Sequence, residues 1–371
     1  MNPITAESIT MSDLQIISVS LGNRSYDIEA GSENLEHIGS FLTAFKPISA
    51  AVILTDENIV QQGYAHRVAE SIAETGIDVH LLSIASGEQS KSIETTATLW
   101  ETLLEEGIDR KSVLISVGGG VIGDLGGFVA ATYARGIRFF QVPTTLLAQV
   151  DSSVGGKVGI NLPNAKNMVG AFLQPLGVLI DTKILQTLPE TQYQSGLGEV
   201  VKYGASLDAG LFQLLETNTE KINIRDPNIL KQIVTDCCRI KANIVAEDEF
   251  ETTGRRVLLN YGHTFAHAFE IQSNFTLLHG LAVSIGSICA AKLAVRMGFV
   301  NEIFLKRQIG LQQALGLPTE IPEGIDWLQT IELMRHDKKS EFGKLCFVLP
   351  TGIGSCRLVD NIDSQLLEHG L

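Results

Sequence analysis

The sequence has no apolar run long enough to cross a membrane. A transmembrane helix needs about 20 consecutive apolar residues. The longest stretch that approaches this length, Leu281 to Val295, is interrupted by Lys292. The N-terminal segment MNPITAESITMSD also lacks the basic start and the apolar stretch of a secretory signal peptide. We therefore expect neither a membrane protein nor a secreted one.

Positive charge is scarce as well. The 371 residues include 28 Lys and Arg against 42 Asp and Glu, so the formal net charge is −14. A chain this acidic is repelled by the phosphates of nucleic acids and by anionic membrane surfaces. We therefore expect a small-molecule ligand as partner and neither nucleic acid nor membrane. An anionic ligand would need a locally basic pocket within this acidic protein.

Cysteine is infrequent and follows no pairing pattern. There are five cysteines, an odd number, with no Cys-x-x-Cys spacing, and Cys237 and Cys238 are sequence neighbours. Buried thiols in a reducing compartment account for this usage most simply, so we expect a cytoplasmic protein.

The chain is long enough for two domains, and its pattern changes near its middle. Between about residues 14 and 182, β-rich runs alternate with amphipathic stretches such as 59–74 and 93–106. The runs are LQIISVSL, AAVILTD, DVHLLSI, SVLISVGGG, RFFQVPTT and GVLIDT. Such alternation predicts an open, mostly parallel, Rossmann-like α/β sheet.

After Leu188-Pro189 the pattern becomes helical. It predicts helices over 198–215, 227–247, 262–272, 279–297 and 301–315, and only LCFVLP (345–350) looks extended. The sequence thus predicts an α/β domain at residues 1–188, followed by a mainly α-helical domain at residues 189–371.

A glycine-rich turn joins a predicted strand to a predicted helix in SVLISVGGGVIGDLGGF. Gly118, Gly120 and Gly123 satisfy G-x-G-x-x-G, a pattern that lets backbone N–H groups approach a pyrophosphate. The usual ribose-binding acid about 20 residues further on is missing, and Asp56, at the carboxyl end of AAVILTD, could take its role. A turn whose glycines only permit tight packing is the alternative.

The segment 143–170 is dense in polar residues and glycines and is predicted to be a long functional loop. Two lysines and several hydroxyl groups suit a phosphorylated, polyhydroxylated ligand. A solvated surface loop is the alternative. The polar residues singled out in segment 143–170 are Thr144, Thr145, Asp151, Ser152, Ser153, Lys157, Asn161, Lys166 and Asn167.

The stretch NYGHTFAHAFE contains two histidines four residues apart, His263 and His267. At helical spacing they share one face with Glu270. An i, i+4 histidine pair beside an acid favours metal binding or proton transfer, although packing of a helix remains the alternative.

Further candidates lie in the predicted helical half. Glu199 and Lys202 in GLGEVVKYG are three residues apart within an apolar neighbourhood, and His279 opens an apolar helix. With the histidine pair, these side chains exceed the three protein ligands that a catalytic zinc needs. Cations that could meet an anionic substrate are Lys241, Arg256 and Lys344.

Several of these motifs occur together in one known family. GGGVIGDLGGF, VPTTLLAQVDSSVGGK, AKNMVGAF, GLGEVVKYG, NYGHTFAHAFE, LHG and DKK…GK…FVLP follow one another in this order. They closely resemble the signature stretches of the 3-dehydroquinate synthase family of sugar-phosphate cyclases. The resemblance covers nearly the whole chain beyond residue 50.

The resemblance implies an enzyme of the shikimate pathway of aromatic amino-acid biosynthesis. The family has an N-terminal α/β NAD-binding domain and a helical C-terminal domain that holds a divalent metal, normally zinc with cobalt as an alternative. It converts 3-deoxy-D-arabino-heptulosonate 7-phosphate to 3-dehydroquinate and phosphate. The steps are transient oxidation by NAD, β-elimination of phosphate, re-reduction and intramolecular aldol closure.

The resemblance also implies roles for individual residues. The metal ligands fall on Glu199, His263 and His279, with His267 beside the metal as a hydrogen-bonding or proton-transfer group. The implied NAD contacts are Asp56, Asn58, Glu88, Lys91, Gly119, Gly120, Asp124, Thr144, Thr145, Asp151, Lys166 and Thr187. The implied substrate contacts are Asp151, Lys157, Asn167, Lys202, Lys241, Arg256, Asn260, Lys344 and Arg135. Those with an implied catalytic role are His267, Lys157, Asn260, Arg135 and Lys202. Arg135 would reach the site from the second subunit of a homodimer.

Some positions differ from the family pattern. Leu281 stands where the family commonly has Glu, so the resemblance supplies no outer partner for His279, and Cys346 replaces a frequent Arg. Two other functions stay open: another sugar-phosphate cyclase, and a metal-dependent polyol dehydrogenase of the same broad fold. A metal-stabilised binding module would have no need for both a nucleotide loop and an open metal site.

Overall fold

The computed structural model describes residues 14–163, 165–337, 345–360, 362 and 365–368. The chain forms two compact units, Met1–Gln186 and Thr187–Leu371. No helix in the described part of the chain is both long and apolar enough to span a membrane.

The first unit is built on a sheet of seven strands. These strands are β1 (Gln15–Val19), β2 (Tyr26–Gly31), β3 (Ala50–Asp56), β4 (Asp78–Ile84), β5 (Val113–Gly118), β6 (Arg138–Pro143) and β9 (Gly177–Asp181). Their order is β1-β2-β9-β6-β5-β3-β4. Only β1 pairs antiparallel, with β2, and the other neighbours pair parallel. The predicted mostly parallel sheet is confirmed.

Helices cover both faces of this sheet. They are α1 (Ile38–Thr43), α2 (Glu57–Gln61), α3 (Tyr64–Ala73), α4 (Ile93–Glu105) and α5 (Gly120–Thr132). Every residue of β5 is buried. Leu114 packs into the core that contains α4 and α5 residues, whereas Ile115 packs into the core that contains α1 and α3 residues. A strand covered on both faces reads as a continuous apolar run, which is why VLISV was recognisable in the sequence.

Two predictions for this unit were wrong in detail. Residues 59–74 were predicted as one helix, but the chain breaks at Gly63, which adopts φ +80° between α2 and α3. Residues 143–170 were predicted as a long loop. They instead form a π-helical turn, Ala148–Ser152, and an antiparallel hairpin of β7 (Lys157–Leu162) and β8 (Ala165–Phe172). The alternation of Val158, Ile160 and Leu162 in β7 does mark a strand, but the polar residues and glycines around it favoured a loop.

The second unit is mainly helical, as predicted. Its helices are α6 (Glu190–Ser206), α7 (Ala209–Thr217), α8 (Thr219–Asn223), α9 (Pro227–Glu247), α10 (His263–Gln272), α11 (His279–Arg296), α12 (Glu302–Ala314), α13 (Trp327–Asp337) and α14 (Gln365–Glu368). A hairpin of β10 (Cys346–Gly352) and β11 (Ser355–Asp360) completes it.

Two predictions for the second unit also needed correction. The single helix predicted over 198–215 is divided between α6 and α7, because Asp208 caps α7 by accepting a hydrogen bond from the N–H of Leu211 at 2.7 Å. LCFVLP is extended, as predicted, but it pairs with β11, whose residues are largely exposed and were not recognised.

The packing of α11 against α6 and α10 organises the candidate site. The N–H of Gly280 donates to Oγ of Ser195 at 3.1 Å. A Cβ atom on Gly280 would lie 1.7 Å from the carbonyl oxygen of Ser195, so only glycine permits this approach. The first turn of α11, which begins with His279, is therefore held directly against the backbone of α6.

Candidate functional site

A carboxylate and two imidazoles converge inside the second unit. Glu199 of α6 is 1% exposed. Its Oε1 lies 3.2 Å from Nε2 of His279 and 3.5 Å from Nε2 of His263. One ligand atom from each residue lies within 4.8 Å of the other two. This is the arrangement of side chains around one metal ion.

The outer nitrogen of each imidazole faces an acceptor. Nδ1 of His263 lies 3.2 Å from the carbonyl oxygen of Tyr261, and Nδ1 of His279 lies 3.1 Å from Oε2 of Glu270. Because these oxygens accept hydrogen bonds, Nδ1 is the protonated nitrogen of each ring. Nε2 of each ring then faces Oε1 of Glu199. One carboxylate oxygen and two imidazole nitrogens that face one point form a donor set that fits a divalent metal.

Lys202 lies on the other side of the Glu199 carboxylate. Its Nζ is 2.7 Å from Oε2 of Glu199, and its side chain is 2% exposed. Neither oxygen of Glu199 has a well-directed hydrogen-bond donor within the described ranges. Burial raises the pKa of Glu199, but the charges of Lys202 and His263 outweigh burial and hold this pKa well below its ordinary value. Glu199 is therefore ionised, as a metal ligand must be.

The two imidazoles differ in their electrostatics. Burial lowers the pKa of His263 and favours the neutral ring, which is the form that binds metals. Burial also lowers the pKa of His279, but the carboxylates of Glu199 and Glu270 outweigh it and raise this pKa above its ordinary value. The negative charge around His279 thus stabilises a cation at this ring, whether a proton or a metal.

His267 lies beside this group and is exposed. Its ring centroid is 5.7 Å from that of His263 and 6.1 Å from that of His279. Helical spacing alone had suggested that His263 and His267 bind one metal together. The geometry instead joins His263 to Glu199 and His279, while a ligand atom of His267 lies near Glu270 and His279.

Arg256 is held by the loop that precedes α10. It is 3% exposed, and its Nη1 donates to the carbonyl oxygen of Glu249 at 2.8 Å. Asp248 accepts from the backbone N–H groups of Thr252, Thr253 and Arg256 at 2.8, 3.0 and 3.1 Å. The carboxylate of Asp248 therefore shapes the loop that carries the arginine.

The other predicted substrate contacts of this unit lie on separate elements. Lys241, on α9, is 6% exposed. Asn260 is exposed and ends the short helix Arg256–Asn260, three residues before His263. Lys344 lies outside the described residues.

In the first unit, several predicted cofactor contacts lie at the carboxyl ends of parallel strands. Asp56 ends β3, Gly119 follows β5, and Thr144 and Thr145 follow β6. A Cβ atom on Gly119 would lie 3.0 Å from Cγ2 of Thr145, so the glycine turn lies close to the end of β6. This edge of an open α/β sheet is where ligands bind in such folds.

The glycine turn also leads into a helix whose N-cap residue is a glycine and has no side chain to cap it. Gly119 is the N-cap of α5, and it makes no side-chain hydrogen bond to the first turn. The first N–H groups of a helix are available to an anion when no side chain takes them. Asp56, by contrast, caps α2 by accepting from the N–H groups of Asn58 and Ile59 at 2.9 and 3.3 Å.

A polar network connects the remaining residues of this edge. Lys91 is 4% exposed, and its Nζ donates to Oδ2 of Asp124 at 2.5 Å and to Oδ1 of Asn167. Asn161 donates to Oε1 of Glu88 at 2.7 Å. The network ties the β7–β8 hairpin to α5 and to the segment after β4. That Glu88, Lys91 and Asp124 contact NAD stays a prediction.

The remaining candidates are distributed over the first unit and its boundary. Asp151 lies in the π-helical turn, Lys157 and Lys166 lie on the β7–β8 hairpin, and Thr187 ends the helix Thr182–Thr187. Arg135 is exposed after α5 and adopts φ +67°. Non-glycine residues with such backbone strain occur often at functional sites.

The sequence analysis paired neither imidazole with its acceptor. The carbonyl oxygen of Tyr261 has no signal in the sequence. Glu270 was recognised as sharing a face with the histidine pair, but its contact with His279 depends on how α10 meets α11. Glu270 is the hydrogen-bond partner of His279 that the family pattern did not provide, because Leu281 stands where the family commonly has Glu.

In fold, the chain is similar to solved sugar-phosphate cyclases. A crystal structure of 2-deoxy-scyllo-inosose synthase complexed with carbaglucose-6-phosphate, NAD+ and Co2+ is similar over 96% of this chain and 100% of that chain, with 27% identity and a TM-score of 0.87. The 2-epi-5-epi-valiolone synthase of Streptomyces hygroscopicus subsp. jinggangensis 5008, with NAD+ and Zn2+ bound, is similar over 94% of this chain and 96% of that chain, with 27% identity and a TM-score of 0.86.

Sequence comparison identifies the family within this class. The model of the N-terminal part of 3-dehydroquinate synthase matches residues 81–195, and that of the C-terminal part matches residues 196–340. The 3-dehydroquinate synthase of Desulforamulus reducens is 47% identical over 93% of this chain and 96% of its own length. The chain belongs to the 3-dehydroquinate synthase family.

Proposed function

We propose that this protein is a phosphate-eliminating lyase that converts 3-deoxy-D-arabino-heptulosonate 7-phosphate to 3-dehydroquinate and phosphate. The observation that carries the proposal is the convergence of Glu199, His263 and His279 on one point, in a chain of the 3-dehydroquinate synthase family. A cluster of three protein ligands leaves positions for substrate oxygens, as catalytic metal sites require.

Two imidazoles and one carboxylate suit zinc, and cobalt accepts the same ligands. We propose that Glu199, His263 and His279 hold such an ion and that NAD binds the first unit. When bound, the metal would polarise a substrate hydroxyl and NAD would supply reversible hydride transfer. The ionised Glu199 and the neutral His263 are the protonation states that metal binding needs.

The proposed cofactor site is the carboxyl edge of the parallel sheet. The uncapped start of α5 would receive the pyrophosphate, and Asp56 would receive a ribose hydroxyl. Thr144 and Thr145 follow the neighbouring strand and would contact the same cofactor. We propose that NAD also contacts Asn58, Glu88, Lys91, Gly120, Asp124, Asp151, Lys166 and Thr187.

The substrate carries a carboxylate and a phosphate, so its site needs several cations and few dedicated bases. We propose that Lys241, Arg256 and Asn260 bind the carboxylate end of the substrate. The rest of the substrate would be bound by Lys157, Asn167, Lys344 and Arg135. Lys202 would act beside the metal, since its ammonium already contacts Glu199. His267 would move or hold a proton, because its exposed ring lies beside the two ligand imidazoles.

We further propose a cytoplasmic homodimer in which Arg135 of one subunit completes the site of the other. The odd number of cysteines, without a pairing pattern in the sequence, supports a reducing location. The strained backbone at Ala134 and Arg135 supports a functional position for the arginine, since φ values of +51° and +67° need a compensating benefit.

Two alternative activities would use similar sites. Another sugar-phosphate cyclase would share the metal and cofactor, but the retained Lys241, Arg256 and Asn260 fit a substrate with a carboxylate. A polyol dehydrogenase would release NADH in proportion to product, whereas the proposed reaction regenerates NAD.

The test supplies the heptulosonate phosphate with a trace of NAD and follows phosphate release together with the NADH absorption band. We expect phosphate release to exceed the NAD supplied, without accumulation of free NADH. Accumulation of NADH equal to product would indicate the dehydrogenase. Absence of phosphate release by metal-loaded protein would reject the proposed reaction.

A further inference from the structure

We propose that Glu270 is a positioning residue of the metal centre, which orients His279 and fixes the nitrogen that the ring offers to the metal. The inference rests on the proposed metal centre and adds a residue that binds neither metal nor substrate.

The two ring nitrogens of His279 have different partners. Nδ1 lies 3.1 Å from Oε2 of Glu270, and Nε2 lies 3.2 Å from Oε1 of Glu199. Donation from Nδ1 to Glu270 leaves the lone pair of Nε2 directed at the metal position. A carboxylate on the far side of a ligand histidine fixes its tautomer and ring orientation and makes the ring more basic.

Glu270 is suited to this role because it is itself fixed. The residue is 7% exposed. Its backbone carbonyl accepts from Oγ of Ser273 at 2.9 Å and from the N–H of Phe275 at 2.7 Å, which closes the end of α10. Asn274 and Phe275 adopt φ +50° and +60°, so the chain turns sharply here. This turn returns the chain to His279, nine residues after Glu270.

The two ligand imidazoles are thus held by acceptors of different charge. His263 donates to a neutral carbonyl, that of Tyr261, whereas His279 donates to a carboxylate. His279 also needs the stronger partner, because its side chain is 35% exposed while that of His263 is 12% exposed. A half-exposed ring has fewer packing contacts to hold its orientation, so its hydrogen bond carries more of that task.

A different role for Glu270 would be direct metal binding. Ligand atoms of His267, Glu270 and His279 also lie within 4.8 Å of one another. A metal bound there through Nδ1 of His279 would displace the hydrogen bond to Glu270, and it would involve the exposed His267. The geometry favours the hydrogen bond, and metal stoichiometry distinguishes the two roles.

The experiment compares Glu270→Gln and Glu270→Met with the wild-type protein. Gln keeps a neutral acceptor, whereas Met has a similar size and only a weak one. The control is Glu216→Gln, which removes a carboxylate paired with Arg307 elsewhere in the same unit. Metal-free proteins are titrated with Zn2+ against a competing chelator, and the visible spectrum of the Co2+ form reports coordination geometry. Far-UV circular dichroism checks folding.

We expect one metal per chain in every variant. Glu270→Met should weaken metal binding by about 10- to 100-fold and shift the Co2+ bands, as loss of an outer-sphere partner does. Glu270→Gln should weaken binding less than Glu270→Met, and the control should match wild type. If Glu270→Met fails to fold, the Gln variant carries the test through its weaker binding and shifted bands.

Other results would overturn the inference. Wild-type affinity and spectra in folded Glu270 variants would assign Glu270 no role at the metal. A second equivalent of metal in wild type that Glu270→Gln loses would make Glu270 a ligand. Absence of metal binding by the wild type would instead refute the proposed metal centre itself.

Discussion

The backbone of Gly198 touches that of Gly280: a Cβ atom on Gly198 would lie 2.0 Å from the carbonyl oxygen of Gly280. Each glycine adjoins a proposed metal ligand, Glu199 on α6 and His279 on α11. The two helices can therefore approach closely enough for carboxylate and imidazole to lie 3.2 Å apart. The proposed ligand set depends on this contact between two residues that have no side chains.

Gly198→Ala should therefore separate α6 from α11 and impair both folding and metal binding. Overpacking of this kind costs roughly 1–3 kcal/mol of unfolding free energy. The matched control is Gly310→Ala on α12, where an added Cβ would meet nothing within 4 Å. That change should raise the free energy of unfolding by up to about 1 kcal/mol, because alanine favours a helix more than glycine does. Denaturant unfolding and zinc titration of both variants check this, and equal behaviour of the two would contradict it.

The amount of bound metal in single variants can distinguish the proposed metal ligands from His267. Glu199→Gln, His263→Ala and His279→Ala should each lose bound zinc, because two protein ligands hold the ion too weakly. His267→Ala should keep zinc but turn over slowly. Chelation of wild-type protein should abolish turnover, and added Zn2+ or Co2+ should restore it. Zinc retained by His279→Ala, or lost only from His267→Ala, would favour the i, i+4 histidine pair.

The proposed role of Arg135 across a dimer interface allows a mixing test. Arg135→Ala and His263→Ala should each be nearly inactive alone. With random exchange, half of the dimers are mixed, and one site in each has both an intact arginine and intact ligands. Activity should therefore recover to about a quarter of the wild-type value. No recovery after verified subunit exchange would place Arg135 in the site of its own chain.

Asp248 should make the free energy of unfolding of the second unit depend on pH in the acidic range. Burial raises the pKa of Asp248, but hydrogen bonds from the backbone N–H groups of Thr253 and Arg256 outweigh burial and lower this pKa to about 2. A folded-state pKa below the unfolded value stabilises the protein above the unfolded value, near 3.9. That contribution disappears as pH falls from about 4 towards 2.

The check is denaturant unfolding of wild type and Asp248→Asn between neutral and acidic pH. Wild type should be the more stable at neutral pH, and the two free energies should converge as Asp248 becomes protonated. A difference that is the same at every pH would mean that charge on Asp248 contributes nothing.

Much of the fold was predictable because its signals are local. The buried run of β5 and the helices α9 to α12 follow from apolar patterns in the sequence. The strands that were not predicted were also missed because of their local sequence. The β7–β8 hairpin lies in a segment rich in polar residues and glycine, which obscured the apolar alternation of β7. β11 is largely exposed and therefore lacks a clear apolar pattern.

The sequence by itself determined the candidate ligands, the glycine turn, the two-part organisation and the family, because long motifs keep residue type and spacing together. Only the tertiary structure decided which of these residues meet. His263 and His267 are neighbours along α10, yet the partners that His263 approaches, Glu199 and His279, come from two other helices. Likewise, Glu270 became the partner of His279 only because the chain turns between α10 and α11. Convergence depends on how the helices pack. The glycine contacts that permit this packing join residues far apart in the sequence, whereas apolar periodicity describes only residues within one element.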